Sequence, residues 1–309
     1  MRLTYAILTR GWGGAELHAL DLAERMARRG HQVSLLVRPG SRAFALEHHV
    51  IDSYDEGAQI LDRLRPDLIQ HFNSLLAVAS LEMMTTRRPR SVEVVHANHQ
   101  LEPNYRQIPT DFTDTVVAVS PSAQRYYPGT SRLILNGVDL AKFVPYARPP
   151  HPVRKVLSVG RLDNAAKNVA EVVATCRTRS DCVLTLVGDG PDRDTYASLG
   201  HVADTAPLYR DADIYLSASL SEGFGLSIAE AAASGLAIVA RRCHGITELL
   251  TDGVDALLAD SPAELAAQLA RAIQDPAPLG KAARATAEAR FDVERMAREY
   301  EAVYQDLAR

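Results

Sequence analysis

Short apolar runs alternate along this chain with longer segments of helical periodicity. The first run, at 3–8, precedes a segment at 13–30 whose leucines, alanines and methionine share one helical face and which stops at Gly30. Further apolar runs in the first half predict strands at 31–37, 49–52, 67–72, 92–97, 115–120 and 132–137. Strands that alternate with helices predict a parallel sheet covered by helices on both faces.

The alternation stops at 144–155, where four prolines and the lack of any periodic pattern indicate a linker. It then restarts, with strands predicted at 155–160, 182–188, 213–219, 236–240 and 255–259. Helices are predicted at 164–178, 261–274 and 277–308. We therefore predict an α/β protein of two doubly wound, Rossmann-like domains that are joined near residue 150.

Composition excludes several classes of protein. The chain has 309 residues, a net charge of -4 and a pI near 6.2, so its overall charge does not favour a nucleic-acid partner. Its three cysteines are an odd number and lack metal-ligand spacing, which favours buried or inert thiols in a reducing compartment. The N-terminal apolar run is too short for a signal peptide, and no run approaches the roughly 20 residues of a membrane span. These features predict a cytoplasmic protein.

Two basic segments raise the question of a membrane surface. Arg25, Arg28 and Arg29 form one, and the sequence Thr-Thr-Arg-Arg-Pro-Arg at 85–90 forms the other. They are either a solvated basic face or the basis of a weak peripheral contact with anionic lipid at the inner face of the membrane. The sequence leaves both interpretations open.

Charged residues and glycines follow several predicted strands, where an open parallel sheet binds its ligand. Arg161 and Lys167 follow the strand at 155–160, Gly188 closes the strand at 182–188, and Glu222 follows the strand at 213–219. A planar guanidinium and an ammonium together suit a diphosphate. Each of these cations taken alone is also typical of a solvated surface.

The stretch at 221–235 places two carboxylates around glycines and the start of a helix. The glycines let the backbone approach a ligand, and a helix that begins near Leu226 offers free N–H groups to a phosphate. Glu222 can accept hydrogen bonds from sugar hydroxyls, and Glu230 can accept them from a ribose. The alternative is that Glu222 only caps the helix and that Glu230 is a solvated helix residue.

Five ordered segments resemble the retaining glycosyltransferases of the GT-B fold, in the family often called family 4 or group 1. They are Gly-Gly-Ala-Glu at 13–16, Asn-Gly-Val-Asp at 136–139, Gly-Arg followed by Lys at 160–167, Gly-Asp-Gly-Pro at 188–191, and two glutamates around Phe-Gly-Leu at 222–230. The resemblance spans nearly the whole chain. It implies two Rossmann-like domains that face each other across a cleft, an acceptor domain at 1–147 and a donor domain at 148–292, with a return helix at about 293–309.

The resemblance implies a donor-binding role for each matching residue in the second domain. Arg161 and Lys167 would hold the diphosphate of a nucleoside-diphosphate sugar, and Glu230 would bind its ribose. Glu222 would hold the transferred sugar, together with the backbone of Phe224, Gly225 and Leu226. Gly188 would lie beside the donor at its strand end. The segment at 199–204, Val202 included, would contact the base through backbone groups. The chain is shorter than the family pattern across 195–208, the stretch that contains this segment, so the base is left undetermined.

From the first domain, the resemblance implies that Gly13 and Gly14 line the cleft. It also implies a histidine near the sugar, either His96 or His99, and we favour His99. The implied reaction moves a hexose-type sugar, from UDP or GDP in the first instance, to a hydroxyl of a glycan, lipid or small molecule with retained configuration. Because the departing phosphate oxygen takes the acceptor's proton, the catalytic groups would be Glu222, His99, Arg161 and Lys167, with no metal and no cofactor.

Three alternatives remain beside this interpretation. The Asp-Ala-Asp at 211–213 matches the metal-binding motif of the other main glycosyltransferase fold, but it precedes a predicted strand instead of following one. We therefore expect no metal there. The same fold also supports nucleotide-sugar epimerases and phosphorylases, and a non-catalytic subunit that binds a nucleotide sugar would carry similar residues.

Overall fold

The computed structural model describes residues 1–8, 13–41, 44–71, 74–96, 112–127, 129–146 and 151–309. These residues form two compact units, one of Met1–Leu135 with Arg295–Arg309 and the other of Asn136–Glu294. Each unit has its own parallel sheet flanked by helices. The predicted α/β class with two doubly wound, Rossmann-like domains is thereby confirmed.

The inner strands of the first unit are buried along most of their length, as expected of a parallel sheet covered on both faces, whereas the two edge strands are largely exposed. The strands are β1 (Arg2–Ile7), β2 (Gln32–Val37), β3 (Glu47–Val50), β4 (Leu68–His71), β5 (Arg90–Val95), β6 (Thr115–Ala118) and β7 (Arg132–Leu133). The helices between them are α1 (Gly14–Arg28), α2 (Tyr54–Leu64), α3 (Leu75–Glu82) and α4 (Pro121–Tyr126). The sheet order is β3-β2-β1-β4-β5-β6-β7, and every pair is parallel.

The second unit repeats this plan with fewer strands. They are β8 (Arg154–Val159), β9 (Cys182–Val187), β10 (Ile214–Ser217), β11 (Ala237–Arg241) and β12 (Leu257–Ala259), in the order β12-β11-β10-β8-β9. The helices are α5 (Asn164–Lys167), α6 (Val169–Arg177), α7 (Ala206–Asp211), α8 (Leu226–Ala233), α9 (Ile246–Leu249), α10 (Pro262–Gln274) and α11 (Ala277–Arg290). Val156, Leu216 and Val239 of the central strands are fully buried in one core with leucines of α10. The chain closes with α12 (Val293–Ala308).

Two of the predicted helices are broken where the sequence analysis expected them to continue. The helix predicted at 164–178 is divided at Asn168, which adopts left-handed angles (φ 49°, ψ 48°). The helix predicted at 277–308 is divided at Phe291 and Asp292, because the carbonyl of Phe291 accepts the N–H of Val138 at 2.7 Å. Phe291 is fully buried at this break. The break at Phe291 therefore involves a contact from outside the helix, which periodicity does not report.

The two units divide ahead of the predicted boundary at residue 147. Residues 136–146 belong to the second unit. There Phe143 packs edge-on against Tyr209 with ring centroids 5.4 Å apart, and Arg284 donates to the carbonyl of Phe143 at 2.8 Å. The proline-rich stretch indicated a linker, but the chain makes its contacts with the second unit before that stretch begins.

The strand order defines one switch point in each sheet. Successive strands depart to opposite sides between β1 and β4 in the first sheet and between β8 and β10 in the second. In open α/β sheets the ligand binds beyond the carboxyl ends of the strands at such a point. The residues after β8 and β10 are therefore the first place to look for chemistry. No helix within the described ranges is long and apolar enough to cross a membrane.

Candidate functional site

The loops that follow β8 and β9 are joined by backbone contacts that leave no room for a side chain. Gly188 has a φ of 144°, and a Cβ built on it would lie 1.7 Å from the carbonyl oxygen of Gly160. The N–H of Leu162 donates to Asp189 at 2.9 Å, and the N–H of Asp192 donates back to the carbonyl of Leu162 at 3.0 Å. The turn that carries Arg161 is therefore held by the Gly-Asp-Gly-Pro-Asp segment.

Side chains hold the same turn in place and leave Arg161 open to a ligand. Asp192 accepts the N–H of Asn164 at 2.6 Å, and Asp163 caps α5 by accepting the N–H of Ala165 at 3.0 Å. The side chain of Arg161 is 67% exposed and lies 3.5 Å from the carboxylate of Asp163. A guanidinium has five N–H donors, so a single loose ion pair leaves most of them available.

Lys167 and Glu222 form an ion pair at the centre of the site. Lys167 ends α5, and its ammonium donates to Glu222 Oε1 at 2.7 Å, with the two side chains 28% and 11% exposed. The backbone of Glu222 is held from its other side, because a Cβ on Gly245 would lie 2.3 Å from the Glu222 carbonyl oxygen. Arg161, Lys167 and Glu222 line a single recess of about 20 Å³. The structure thus brings together three of the predicted site residues at the β8–β10 switch point.

Helix α8 begins at Leu226, as predicted, with Gly225 as its N-cap at a φ of 81°. The first amides of a helix have no acceptor within it, so this end of α8 suits an anion. The side chain of Phe224 is buried against Phe291, with ring centroids 5.7 Å apart. Phe224 therefore contributes packing through its ring, and only its backbone is left for a ligand.

A tyrosine that the sequence analysis missed joins α8 to the end of β8. The hydroxyl of Tyr215 lies 2.9 Å from the carbonyl oxygen of Val159 and 2.8 Å from the hydroxyl of Ser227. Tyr215 is fully buried within β10. The hydroxyl of a tyrosine within a buried strand was the only signal in the sequence that could have revealed this role.

Glu230, in the second turn of α8, has an environment unlike that of a solvated helix residue. Burial raises the pKa of its carboxyl to about 7, while a hydrogen bond from Tyr209 and the positive charge of Lys142 act in the opposite direction. The hydroxyl of Tyr209 also lies 3.1 Å from the carbonyl oxygen of Ser227. A carboxylate that is desolvated in this way gains most from a ligand that donates hydrogen bonds to it.

The loop at 199–204 is attached to the end of β9. The N–H of Leu199 donates to Leu186 at 3.0 Å, and the N–H of Gly188 donates to Gly200 at 2.9 Å. Because its N–H is used in this way, Gly188 shapes the site through its backbone conformation rather than by donating to a ligand. Val202 is half-buried in this loop.

Asp204 connects the same loop to the surroundings of Glu230. Its carboxylate lies 3.0 Å from the ammonium of Lys142. Lys142 is also the cation that lowers the pKa of Glu230. One lysine therefore acts on both the loop expected to contact the base and the residue expected to bind the ribose.

The predicted site residues of the first unit are described only in part. Gly13 and Gly14 begin α1, where the N–H of Gly13 donates to Glu16 Oε2 at 2.7 Å. His96 directly follows β5, its ring lies 5.0 Å from that of His18, and burial lowers its pKa to about 3. The imidazole of His96 is therefore neutral at pH 7. His99 lies outside the described residues, so the choice between His96 and His99 stays a prediction.

A second ion pair, which the sequence analysis missed, supports the position of Lys167. Arg241 ends β11 and donates to Glu171 of α6 at 2.8 Å, with the two side chains 18% and 10% exposed. The side-chain amide of Asn168 donates to the same carboxylate. Asn168 directly follows Lys167, so these contacts hold the break between α5 and α6. Arg241 could have been found by its position at the carboxyl end of a predicted strand.

The remaining polar groups nearby have structural partners. Asp211 and Asp213 both bind Lys155. The ammonium of Lys155 lies 2.6 Å from the carboxylate of Asp211, and its backbone N–H donates to the carboxylate of Asp213 at 2.8 Å. In the described ranges, no group of three or more His, Cys, Asp or Glu side chains could hold a metal ion. Burial raises the pKa of the Cys243 thiol to about 12, so this thiol is not an activated nucleophile. The site offers cations and a helix start to an anion, and carboxylates to hydroxyl groups.

Each half of the chain matches a protein-family model. Residues 12–142 match the model of glycosyltransferase family 4, and residues 153–275 match the model of glycosyl transferases group 1. The matched segments include the Gly-Gly-Ala-Glu start of α1 and the recess at the end of β8.

Curated relatives match over part or most of the chain. The phosphatidyl-myo-inositol mannosyltransferase of Mycobacterium tuberculosis is 28% identical over an alignment of 294 residues, and the match covers 78% of this chain and 77% of that protein. The GDP-mannose-dependent alpha-mannosyltransferase of Corynebacterium glutamicum is 31% identical over an alignment of 143 residues, and the match covers 40% of this chain and 34% of that protein.

A solved structure shares the whole architecture. Anabaena Alr3699/HepE in complex with UDP and glucose matches with a TM-score of 0.83 at 21% identity, and the match covers 99% of this chain and 100% of that one. At this level of identity the match shows a common fold.

Proposed function

The chain is a glycosyltransferase of the GT-B fold, and from this premise we propose that it transfers a hexose from a nucleoside-diphosphate sugar to an acceptor hydroxyl with retained anomeric configuration. The observation that carries the proposal is the recess lined by Arg161, Lys167 and Glu222 at the β8–β10 switch point. An exposed guanidinium, a paired ammonium and a helix start together suit a diphosphate.

Each part of the donor has a group that suits it. We assign the diphosphate to Arg161, Lys167 and the first amides of α8, and the ribose to Glu230. We assign the transferred sugar to Glu222. Its second carboxylate oxygen can accept hydrogen bonds from sugar hydroxyl groups while Oε1 accepts one from Lys167. The base belongs to the loop at 199–204. The roles implied for Gly13, Gly14 and His99 stay predictions.

The proposed reaction depends on stabilising a leaving group. The bond between the anomeric carbon and the diphosphate breaks, and negative charge grows on the departing phosphate oxygen. Arg161, Lys167 and the start of α8 stabilise that charge. A new bond forms between the anomeric carbon and the acceptor oxygen, whose proton passes to the departing phosphate oxygen on the same face. Atoms and charge balance without a protein nucleophile.

The names of similar proteins suggest which donor to propose. Two sequence relatives are mannosyltransferases, one of them named for GDP-mannose, whereas the Anabaena structure holds UDP and glucose. We therefore propose a GDP- or UDP-linked hexose as the donor. For the acceptor we propose a hydroxyl group of a glycan, lipid or small molecule.

A thermal-shift screen tests the donor site first. The purified protein is heated with UDP, GDP, ADP, dTDP and CDP and with their common sugar conjugates. A ligand that binds only the folded protein raises its stability by about 2.7 kcal/mol at 100 times Kd. We expect one nucleotide to stand out and to lose its effect in Glu230→Gln. A uniform lack of response would contradict the proposed donor site.

Incubation with the selected sugar nucleotide then tests the reaction. We expect slow hydrolysis of the donor without an acceptor, and a product of unchanged anomeric configuration by NMR once an acceptor is found. An epimerised sugar nucleotide would instead identify an epimerase. Tight donor binding without hydrolysis or transfer over a broad acceptor screen would identify a non-catalytic binding subunit.

A further inference from the structure

A second concave surface lies in the first unit. It is a groove of about 860 Å³ lined by residues that begin or precede β1, β4, β5 and β6 and by the end of α12. In a parallel sheet these residues lie at the amino ends of the strands, opposite the edge where α/β proteins bind their substrates. The groove is therefore separate from a site at the carboxyl edge of that sheet. We call it the arginine groove.

The arginine groove concentrates positive charge in a chain whose net charge is -4. The residues that line it include two aspartates, Asp67 and Asp114, and six arginines: Arg2, Arg65, Arg87, Arg88, Arg90 and Arg309. Charges gathered in a concave surface reinforce one another's potential and attract ions of the opposite sign.

The two aspartates hold three of the arginines in fixed positions. Asp67 accepts from the backbone N–H of Arg2 at 2.7 Å and from its guanidinium at 3.0 Å. Asp114 accepts from the guanidinium of Arg90 at 2.9 Å and lies 3.9 Å from that of Arg88. Arg88 also lies over the ring of Phe112, 5.1 Å from its centroid. Each of these guanidinium groups keeps donors beyond those it uses here.

Two of the remaining three arginines of the groove have no carboxylate partner among the described residues. Arg65 and Arg87 are exposed, and neither makes an ion pair with any residue in the described part of the chain. Arg65 follows α2 in the left-handed conformation, with a φ of 46°. At a helix end a cation also complements the helix dipole, which explains Arg65 in part. That explanation does not extend to Arg87, because α3 ends at Glu82.

We propose that the arginine groove binds a phosphate-bearing anion, either a soluble polyphosphate compound or the headgroup of an anionic phospholipid. The guanidinium group binds phosphate through paired N–H donors, and two arginines without ion pairs are open to such contacts. The volume of the groove lies within the range of small-molecule sites, roughly 300–1,000 Å³, and exceeds what one phosphate ion needs. The basic segment at 85–90, whose role the sequence analysis left undecided, supplies half of the six arginines.

The test compares two double variants that have equal net charge. Arg65→Asn with Arg87→Gln removes the two groove arginines without ion pairs, and asparagine tolerates the left-handed conformation at position 65. Arg63→Gln with Arg125→Gln is the control, because both arginines are exposed and neither lines the groove. Circular dichroism and thermal melting confirm that both double variants fold.

Two probes distinguish the sources of phosphate. Inorganic triphosphate is titrated calorimetrically at low ionic strength, and vesicles of phosphatidylglycerol in phosphatidylcholine are co-sedimented with the protein. Triphosphate that binds at Arg161 and Lys167 contributes equally in all three proteins, so it cancels from the comparison. We expect the groove variant to lose affinity on the order of tenfold for at least one probe, and the control to match the unmodified protein.

The results distinguish the two sources of phosphate from each other and from the absence of binding at the groove. A selective loss of triphosphate binding supports a soluble ligand, and a selective loss of vesicle binding supports a lipid headgroup. A loss of both supports the shared phosphate chemistry. Equal binding of both probes by the groove variant and the control overturns the proposal, whatever the donor screen has shown.

Discussion

The candidate active site of the second unit and the arginine groove of the first both gather cations, but they hold them differently. In the active site, Lys167 lies 2.7 Å from a glutamate that is only 11% exposed. In the groove, Arg65 and Arg87 are exposed and make no ion pair within the described ranges. Charges that are shielded and held in place act strongly on a ligand of one geometry, whereas exposed charges are screened by salt and act on many. The same kind of side chain therefore has different consequences in the two places.

Replacing Lys167 by alanine should have the largest effect. Loss of a preorganised cation beside the leaving diphosphate should lower kcat on the order of 10²–10³-fold. Lys155→Ala is the matched control, because Lys155 lies in the same unit and its ion pair with Asp211 is exposed. The measurement is steady-state donor turnover by both variants. Equal kinetics for the two would show that Lys167 is a structural cation.

The close backbone contact at Gly188 tests whether the active site depends on a rigid frame. An alanine Cβ there would overlap the carbonyl oxygen of Gly160, so Gly188→Ala should cost about 1–3 kcal/mol of unfolding free energy. Gly160→Ala is the control, since a Cβ at Gly160 meets no atom within 4 Å. Urea denaturation measures both. If the two variants are equally stable, the loops after β8 and β9 are free to separate.

The carboxyl of Glu230 should make donor binding depend on pH. Its pKa is raised from 4.5 to about 7, and the ionised form is the one that accepts hydrogen bonds from ribose. Donor affinity should therefore weaken as the pH falls through about 7, and this inflection should vanish in Glu230→Gln. That variant should bind the donor about tenfold more weakly at pH 8. A titration of Kd against pH that is the same in both proteins would contradict the ribose assignment.

The same carboxyl should affect the ligand-free protein in the opposite direction. Between the ordinary pKa of 4.5 and the folded value of about 7, the folded state binds more protons than the unfolded state. Its contribution to stability is therefore present at low pH and is lost as the pH rises through this window. Relative to Glu230→Gln, the unmodified protein should lose Tm on going from about pH 5 to about pH 8.

Ionic strength should give the smallest effect and the sharpest contrast between the two regions. Raising the salt from about 0.05 M to about 0.5 M shortens the range of exposed charges several-fold. Anion binding that depends on Arg65 and Arg87 should weaken about fivefold or more, while binding of the complete donor, which also depends on the partly buried Lys167 and Glu222, should change less. Parallel titrations of triphosphate and of the donor nucleotide measure this. Equal salt dependence would remove the distinction between the two regions.

Local patterns in the sequence predicted most of the elements correctly. Apolar runs identified the strands, because a strand buried on both faces has to be apolar along its length. The glycines and the helix start in 221–235 identified the beginning of α8. Periodicity could not detect the break at Phe291, because it accompanies a hydrogen bond from the distant Val138. It also missed the break at Asn168, where the residue adopts left-handed angles and its side chain bonds to Glu171 three residues on. The proline-rich stretch and the family resemblance predicted a boundary at 147, whereas residues 136–146, Phe143 among them, cluster with the second unit.

The sequence by itself determined the two parallel sheets and the residues that follow their strands, because side-chain polarity and backbone propensity act over short distances. Only the tertiary structure decided which of those residues meet. It joined Lys167 to Glu222, supported Lys167 through Glu171 and Arg241, and placed arginines from separate loops around one groove. Strand order determines which of these residues come into contact. It results from the packing of the whole sheet rather than from any one segment.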